Sequence, residues 1–357
     1  MPYYTYEELV DGVQQLAHHY AAKAELISLP NTSVEGRPVK ALAIGDSRGP
    51  EVPTAIFVGG IHAREWVPPD ALLSLAADLL EAATLGTGLG YGGKHFGKAA
   101  IARIMSDLQL VILPCANPDG RVYSQTIDPN WRKNRAPHSG SGCIGVDINR
   151  NFDVCWDFKT AFAPGFVSAS ENPCDPQVYV GPAAASEPET RNIVWLLEHF
   201  GKTGWFVDVH SAIPAVLHGW GLDQNQTANP QMNFLNPAFD GKRGQENDNA
   251  VYSEFMEAAD LAEAQRLAQI MGSTSNDVHG DSYDIGPAFS LYATSGASDD
   301  YAYSRHRVNS SSSRVLGFTM ECGHEFQPED AGRENVMREV SAALVAFAAG
   351  VNLGVAS

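Results

Sequence analysis

Phe57-Val58-Gly59-Gly60-Ile61-His62-Ala63-Arg64-Glu65-Trp66 is the stretch on which the fold turns. Residues 54–58 are an apolar run with β-branched side chains, bounded by Pro53 and a Gly-Gly pair, and predict a short buried strand. The chain then turns and presents His62 and Glu65, three positions apart, which share one face if they open a helix. Imidazole and carboxylate are both zinc ligands, and a His₂Glu set with an open fourth position is a catalytic arrangement. Alone, His-x-x-Glu is a common chance pattern whose plain reading is a surface turn. A second histidine and a base elsewhere in the chain must decide.

Upstream, Thr5-x-x-Glu8 is a capping box ahead of Leu9, Val13, Leu16, Ala17 and Tyr20 at helical spacing, predicting a helix that ends near Ala24. Residues 25–29 and 39–44 read as strands. Downstream, Pro69-Asp70 starts an apolar helix over 71–83, and the Gly-rich 84–97 reads as a loop. A helix over 99–106 and a continuous apolar strand over 108–114 follow. Asn117-Pro118-Asp119-Gly120 is a turn signal. From there to Asp153 the chain is polar, Gly-rich and aromatic, and so long an aperiodic segment in a compact domain is usually functional. Helices are predicted over 189–200, 259–271 and 336–349, and strands over 205–209, 216–218 and 317–321. Residues 289–300 read as a loop around Gly296, and 222–249 as a polar surface insertion. Strands alternating with helices, with no repeat or linker, predict one α/β domain over 1–357 with a mixed, largely parallel sheet.

Composition narrows the partners. A chain of 357 residues, 44% hydrophobic and 18% charged, can bury a large core. A net charge of −18 argues against nucleic acid or an anionic membrane and suits a cationic substrate. No apolar run approaches the ~18 residues of a membrane span. Met1-Pro2-Tyr3-Tyr4 leads straight into a polar helix without a signal peptide, which predicts either a cytosolic protein or a mature form. Five cysteines, Cys115, Cys143, Cys155, Cys174 and Cys322, permit at most two disulfides. Asn31, Asn225 and Asn309 head sequons that matter only in a secreted protein.

Three predicted strands end in metal-type or acidic side chains, and such ends mark the ligand edge of an open α/β sheet. The first leads to His62 and Glu65, Phe206-Val207-Asp208-Val209 leads to His210, and Phe318-Thr319-Met320 leads to Glu321. Singly, His210 could be a satisfied core histidine and Glu321 a solvated strand end. The full set resembles the zinc metallocarboxypeptidases of the funnelin (carboxypeptidase A/B) family. The likeness rests on His62-x-x-Glu65, Asn117-Pro118-Asp119-Gly120, Trp131-Arg132-Lys133-x-Arg135, Gly145-Val146-Asp147-x-Asn149-Arg150-Asn151-Phe152-Asp153, His210-Ser211, Tyr292-x-x-Ser295-Gly296 and Phe318-Thr319-x-Glu321, in family order along nearly the whole chain.

The resemblance implies a twisted sheet with helices on both faces, and Zn²⁺ held by His62, Glu65 and His210. Glu321 would be the general base. Arg132 would stabilise the developing oxyanion. Asn149 and Arg150 would bind the substrate's terminal carboxylate, with Arg supplying a planar fork that matches it. Tyr292 would close over that end, Arg64 would line the channel, and Asp147 would orient a zinc-bound imidazole, in the first place His62. Cys143 and Cys174 would pair, supporting export. The resemblance further implies a secreted, monomeric zymogen, with a pro-domain and proteinaceous inhibitors as partners.

In the family, the residue seven places after the capping tyrosine floors the side-chain pocket. Here that is Asp299, with Ser298 or Asp300 as alternatives in a shifted register. A buried carboxylate needs a cation, so Asp299 predicts cleavage of C-terminal Lys or Arg; a broad enzyme also accepting apolar ends is the alternative. Insertions are expected near 84–97, 158–172 and 222–283, and Ala212 stands where many relatives carry an aromatic. An inactive binding module of this family would typically lack a zinc ligand or the base, and neither is missing. An N-acyl amino-acid deacylase would not need Asn149, Arg150 and Tyr292.

Overall fold

A computed structural model of the chain describes residues 3–138, 140–246 and 250–353. Helix α1 (Tyr6–His19) opens on its capping box: Glu8 N–H donates to Thr5 Oγ1, and Thr5 N–H donates to the Glu8 carboxylate. Next come β1 (Ala24–Ser28), β2 (Lys40–Ile44), β3 (Thr54–Gly59), α2 (Val67–Leu85), the hairpin β4 (Leu89–Tyr91) and β5 (Lys94–Phe96), α3 (Lys98–Asp107), β6 (Gln109–Leu113) and α4 (Pro118–Thr126). The second half runs α5 (Phe158–Ala161), α6 (Pro188–His199), β7 (Thr203–His210), β8 (Ala215–His218), β9 (Asn225–Gln226), β10 (Glu254–Phe255), α7 (Ala258–His279), β11 (Asp284–Pro287), α8 (Ser298–Val308), β12 (Leu316–Glu321) and α9 (Asp330–Gly350).

Eight strands form one sheet in the order β1-β2-β6-β3-β7-β12-β8-β11. The central four are parallel, whereas β1, β2 and β8 join antiparallel. Period-two alternation in β3 sends Ala55 and Phe57 to one face, against α2 and α9, and Ile56 and Val58 to the other, against Ile193 and Leu197 of α6. Both faces are therefore covered, which is why these strands read as unbroken apolar runs. Burial of each large side chain there contributes roughly 1.5–3 kcal/mol. The α/β class and the largely parallel sheet agree with the sequence.

Several local expectations do not hold. His62 and Glu65 lie in a turn before α2, which begins at Val67 with Pro in its first turn. Asn117-Pro118-Asp119-Gly120 is a helix start rather than an isolated turn: Asn117 Oδ1 accepts Gly120 N–H at 2.9 Å, and Pro118 opens α4. The loop expected over 84–97 contains the β4–β5 hairpin, and α8 begins inside the loop expected over 289–300. The surface insertion expected over 222–283 divides. Up to Glu257 it is mostly irregular, with residues 247–249 outside the described ones, but α7 is a core helix that buries Leu267, Ala268 and Met271 against α9. The helix read over 259–271 lies within α7; its burial in the core is what the insertion reading missed.

Candidate metal centre and substrate cavity

Strands β3, β7 and β12 are neighbours in the sheet, and their carboxyl ends carry the chemistry. Glu321 pairs in register with His210, and Gly59 with Val209. Gly60, at φ 67°, turns the chain off β3 toward His62, a conformation that favours glycine. His62 Nδ1 lies 2.8 Å from Glu65 Oε1, His210 Nδ1 lies 3.0 Å from Glu65 Oε2, and the two Nδ1 atoms are 3.0 Å apart. All three side chains are buried. Burial alone would raise the Glu65 pKa, but the two histidines hold it well below the usual carboxylate range.

Two imidazole nitrogens and a carboxylate converging on one point, with no amine or guanidinium among them, form a cradle for a cation. Among the described residues this is the one His/Cys/Asp/Glu group whose donors all lie within 4.8 Å. The far nitrogens fit the same reading. His62 Nε2 is 3.3 Å from Asp147 Oδ1, and among the described residues neither histidine's Nε2 has another hydrogen-bond partner. Nitrogen and oxygen donors, three in number, suit Zn²⁺ with an open position.

Asp147 is the hinge of the next layer. Its Oδ2 accepts from Arg132 Nε at 3.1 Å and Nη2 at 2.9 Å. Burial opposes ionisation of Asp147, but Arg132 and His62 keep its pKa far below normal. Asn149 Oδ1 accepts Ser298 N–H at 2.8 Å, so its amide nitrogen is turned the other way. Arg150 is buried and anchored by Nε to Ser168 O at 2.7 Å and Nη1 to Asn149 O at 2.6 Å. The half-exposed Tyr292 ring lies 5.8 Å from the Arg150 guanidinium carbon.

A narrow cavity of about 50 Å³ brings His62, Arg132, Asn149, Arg150, Tyr292, Asp299 and Glu321 together, with apolar walls from Leu217, Ala288, Leu291 and Ala297. Asp299 is 2% exposed. It accepts from Asp300 N–H at 2.9 Å and from Thr319 Oγ1 at 3.1 Å, and no ion pair holds it among the described residues. Burial raises its pKa. Ser298 and Asp300 are turned elsewhere: Ser298 Oγ bonds Asp208, and Asp300 takes Gly221 N–H on both oxygens. Burial, with Glu65 adding and His210 and Arg132 opposing, pushes the Glu321 carboxyl up to about 7. Arg64 does not line the cavity; it stacks on Phe326, 4.3 Å from the ring centre. Two larger clefts, about 390 and 620 Å³, lie over α1, α2 and α9, away from this chemistry.

Cys143 and Cys174 form a disulfide, bracing the loop that carries Arg132, Asn149 and Arg150, while Cys115, Cys155 and Cys322 are free thiols. One participant escaped the sequence reading. Asp208 lies 2.9 Å by Oδ2 from His210 Nε2. A charged residue inside a wholly apolar strand, two places before a candidate ligand and so on its face, was the available signal.

Fold and donor set define a class: an open α/β sheet with a mononuclear zinc site at its carboxyl edge. Residues 9–341 match the zinc carboxypeptidase family along most of the chain. Rat carboxypeptidase A2 is 32% identical over 302 residues, covering 84% of this chain and 59% of the relative. Carboxypeptidase B of Astacus astacus is 29% identical over 304 residues, covering 84% and 81%. The chain thus spans about three fifths of the rat relative's length. In fold, it is similar to bovine thrombin-activatable fibrinolysis inhibitor bound to tick carboxypeptidase inhibitor, with TM-score 0.71, 20% identity and coverage of 97% and 96%. Carboxypeptidase A from Helicoverpa armigera gives TM-score 0.69, 23% identity and coverage of 98% and 74%. The chain belongs to the zinc carboxypeptidase family.

Proposed function

We propose that this chain is a zinc-dependent exopeptidase that hydrolyses the C-terminal peptide bond and prefers C-terminal Lys or Arg. The observation that carries the preference is Asp299, a buried carboxylate at the cavity that has no cationic partner among the described residues. A bound Lys or Arg side chain supplies the missing charge. His62, Glu65 and His210 hold Zn²⁺, which when bound supplies Lewis acidity toward the scissile carbonyl and the attacking water. Glu321 takes the proton from that water and returns it to the leaving amine. Asn149 and Arg150, which line the cavity, bind the terminal carboxylate, and Tyr292 covers it. Arg132, fixed by Asp147, holds the developing oxyanion.

The apolar walls Leu217, Leu291, Ala288 and Ala297 favour a second reading, a broader enzyme that also takes apolar ends. Hippuryl-Arg and hippuryl-Phe separate the two. We expect kcat/KM to favour hippuryl-Arg by tenfold or more, and Asp299→Ile to reverse the order; equal rates, or an unaffected variant, would remove Asp299 from the role. The disulfide supports a secreted protein. Among the described residues, no helix is long and apolar enough to cross a membrane. The inhibitor bound to the bovine neighbour supports proteinaceous inhibitors as partners here.

A further inference from the structure

We propose that Asp208 is a positioning residue of the metal site: it holds the ring of His210 so that Nδ1 faces the ion, and Ser298 ties it to the carboxylate clamp. The inference rests on the zinc reading of His62, Glu65 and His210.

Asp208 is fully buried in the middle of β7, a strand with no exposed residue. Along a strand, positions two apart share a face, so Asp208 sits beneath His210. Its Oδ2 lies 2.9 Å from His210 Nε2. Among the described residues Nε2 has no other hydrogen-bond partner, while Nδ1 faces Glu65 and His62. The other carboxylate oxygen, Oδ1, is buried with no hydrogen-bond partner among the described residues. No Lys or Arg pairs with this carboxylate among the described residues; its ion-pair partner is His210. A buried charge left so poorly satisfied is costly, and the histidine is the group that justifies it.

The tautomer follows. With a carboxylate at Nε2, the ring proton resides there, and the Nδ1 lone pair is free for a metal. A carboxylate behind a liganding imidazole also raises the basicity of the bound nitrogen. Asp147 stands in the same relation to His62, so each metal-facing imidazole of this chain has a carboxylate behind it.

Ser298 makes the arrangement more than local. Its Oγ donates to Asp208 Oδ2 at 2.6 Å, and its N–H donates to Asn149 Oδ1 at 2.8 Å. The next residue is Asp299, whose Oδ2 accepts from Thr319, and Thr319 pairs in register with Asp208 across β7 and β12. One serine therefore joins the clamp amide to the carboxylate behind the metal ligand.

The test is zinc affinity, measured on the purified chain after metal removal by competition with a chromophoric chelator. Circular dichroism of each sample checks that it is folded. Asp208→Asn keeps the shape and removes the charge; we expect zinc to bind 10–100-fold more weakly and to leave faster. Cobalt substituted for zinc should show a shifted visible spectrum in the variant. A purely structural role would lower Tm and leave both metal readouts alone. A folded Asp208→Asn protein with affinity within twofold of the native chain overturns the inference. If the native chain itself binds no zinc, the metal-site reading falls first, and this inference with it. Should Asp208→Asn not fold, ¹⁵N-histidine-labelled native protein decides. Zinc-loaded His210 should show a slowly exchanging proton on Nε2; a proton on Nδ1, or one lost rapidly to solvent, overturns the assignment.

Discussion

Glu321 and His210 face one another because adjacent parallel strands end level, and that register places a carboxylate beside the metal ligand without making it one. Its pKa, raised to about 7 by burial, describes a base that can both accept and release a proton near neutrality. Glu321→Gln should cut turnover by about 10²–10⁴ while zinc content stays at the native stoichiometry, since Glu321 lies outside the donor triad. Assaying hydrolysis and metal content on the same preparation checks this, and a Gln variant that keeps native turnover would move the base elsewhere. Most residues at this scale were legible from the chain, because a polar side chain ending an apolar strand is conspicuous. Asp208 was not. It sits inside the run rather than at its end, and its one local signal, a place two before His210, does not by itself separate a buried acid with a partner from a break in the hydrophobic pattern. Its partner becomes visible only with His210 in place.

The pocket depends on how two elements meet. Helix α8 begins at Ser298 and lies on β12, and at Gly317 the contact is so close that an added Cβ would sit 2.1 Å from Asp299 O. Backbone cannot yield there as a flexible side chain can. Gly317→Ala should therefore lift the start of α8, cost about 1–3 kcal/mol, and weaken the discrimination between hippuryl-Arg and hippuryl-Phe more than it weakens zinc binding. Urea denaturation and the two substrates test it; unchanged selectivity would show that α8 absorbs the methyl without moving Asp299. The same junction explains a misread element. Residues 289–300 carry Gly296 and little periodicity, so they read as coil, yet Ser298 to Val308 winds into a helix whose first turn is pinned by Asn149 and Asp208 from other elements. Likewise Pro68 and Pro69 delay α2 past Glu65, and that makes the metal motif a turn. The inner strands were read well because burial on both faces leaves a continuous signal, whereas the partly exposed edge strand β11 was not read at all. Helix starts set by distant hydrogen bonds leave little.

At the scale of the molecule, acidic groups buried away from the metal should set the pH dependence of stability. Burial raises Glu254 to about 8, with Tyr252 and Arg243 opposing, and Glu189 to about 7. A carboxyl whose folded pKa lies above its unfolded value of about 4.5 holds its proton longer in the native state. The native chain therefore binds more protons than the unfolded one across this window, and stability falls as pH rises. The contribution is full below about pH 4.5 and is lost as pH climbs through the folded values. Glu65 and Asp147, held far below normal, contribute stability that is full above about pH 4.5 and is lost as pH falls below it, outside this window. A net charge of −18 adds self-repulsion in the same direction, so the slope of the native chain alone assigns nothing to one residue. The difference between native and Glu254→Gln does. The amide copies the neutral acid and cannot ionise, so the variant should gain on the native chain between pH 5 and pH 8, by on the order of 2–4 kcal/mol at the upper end. Denaturation of both zinc-loaded proteins at the two pH values measures that gap. A gap that does not change with pH would mean that Glu254 is already ionised in the fold, with Arg243 and Tyr252 stabilising the charge against its burial.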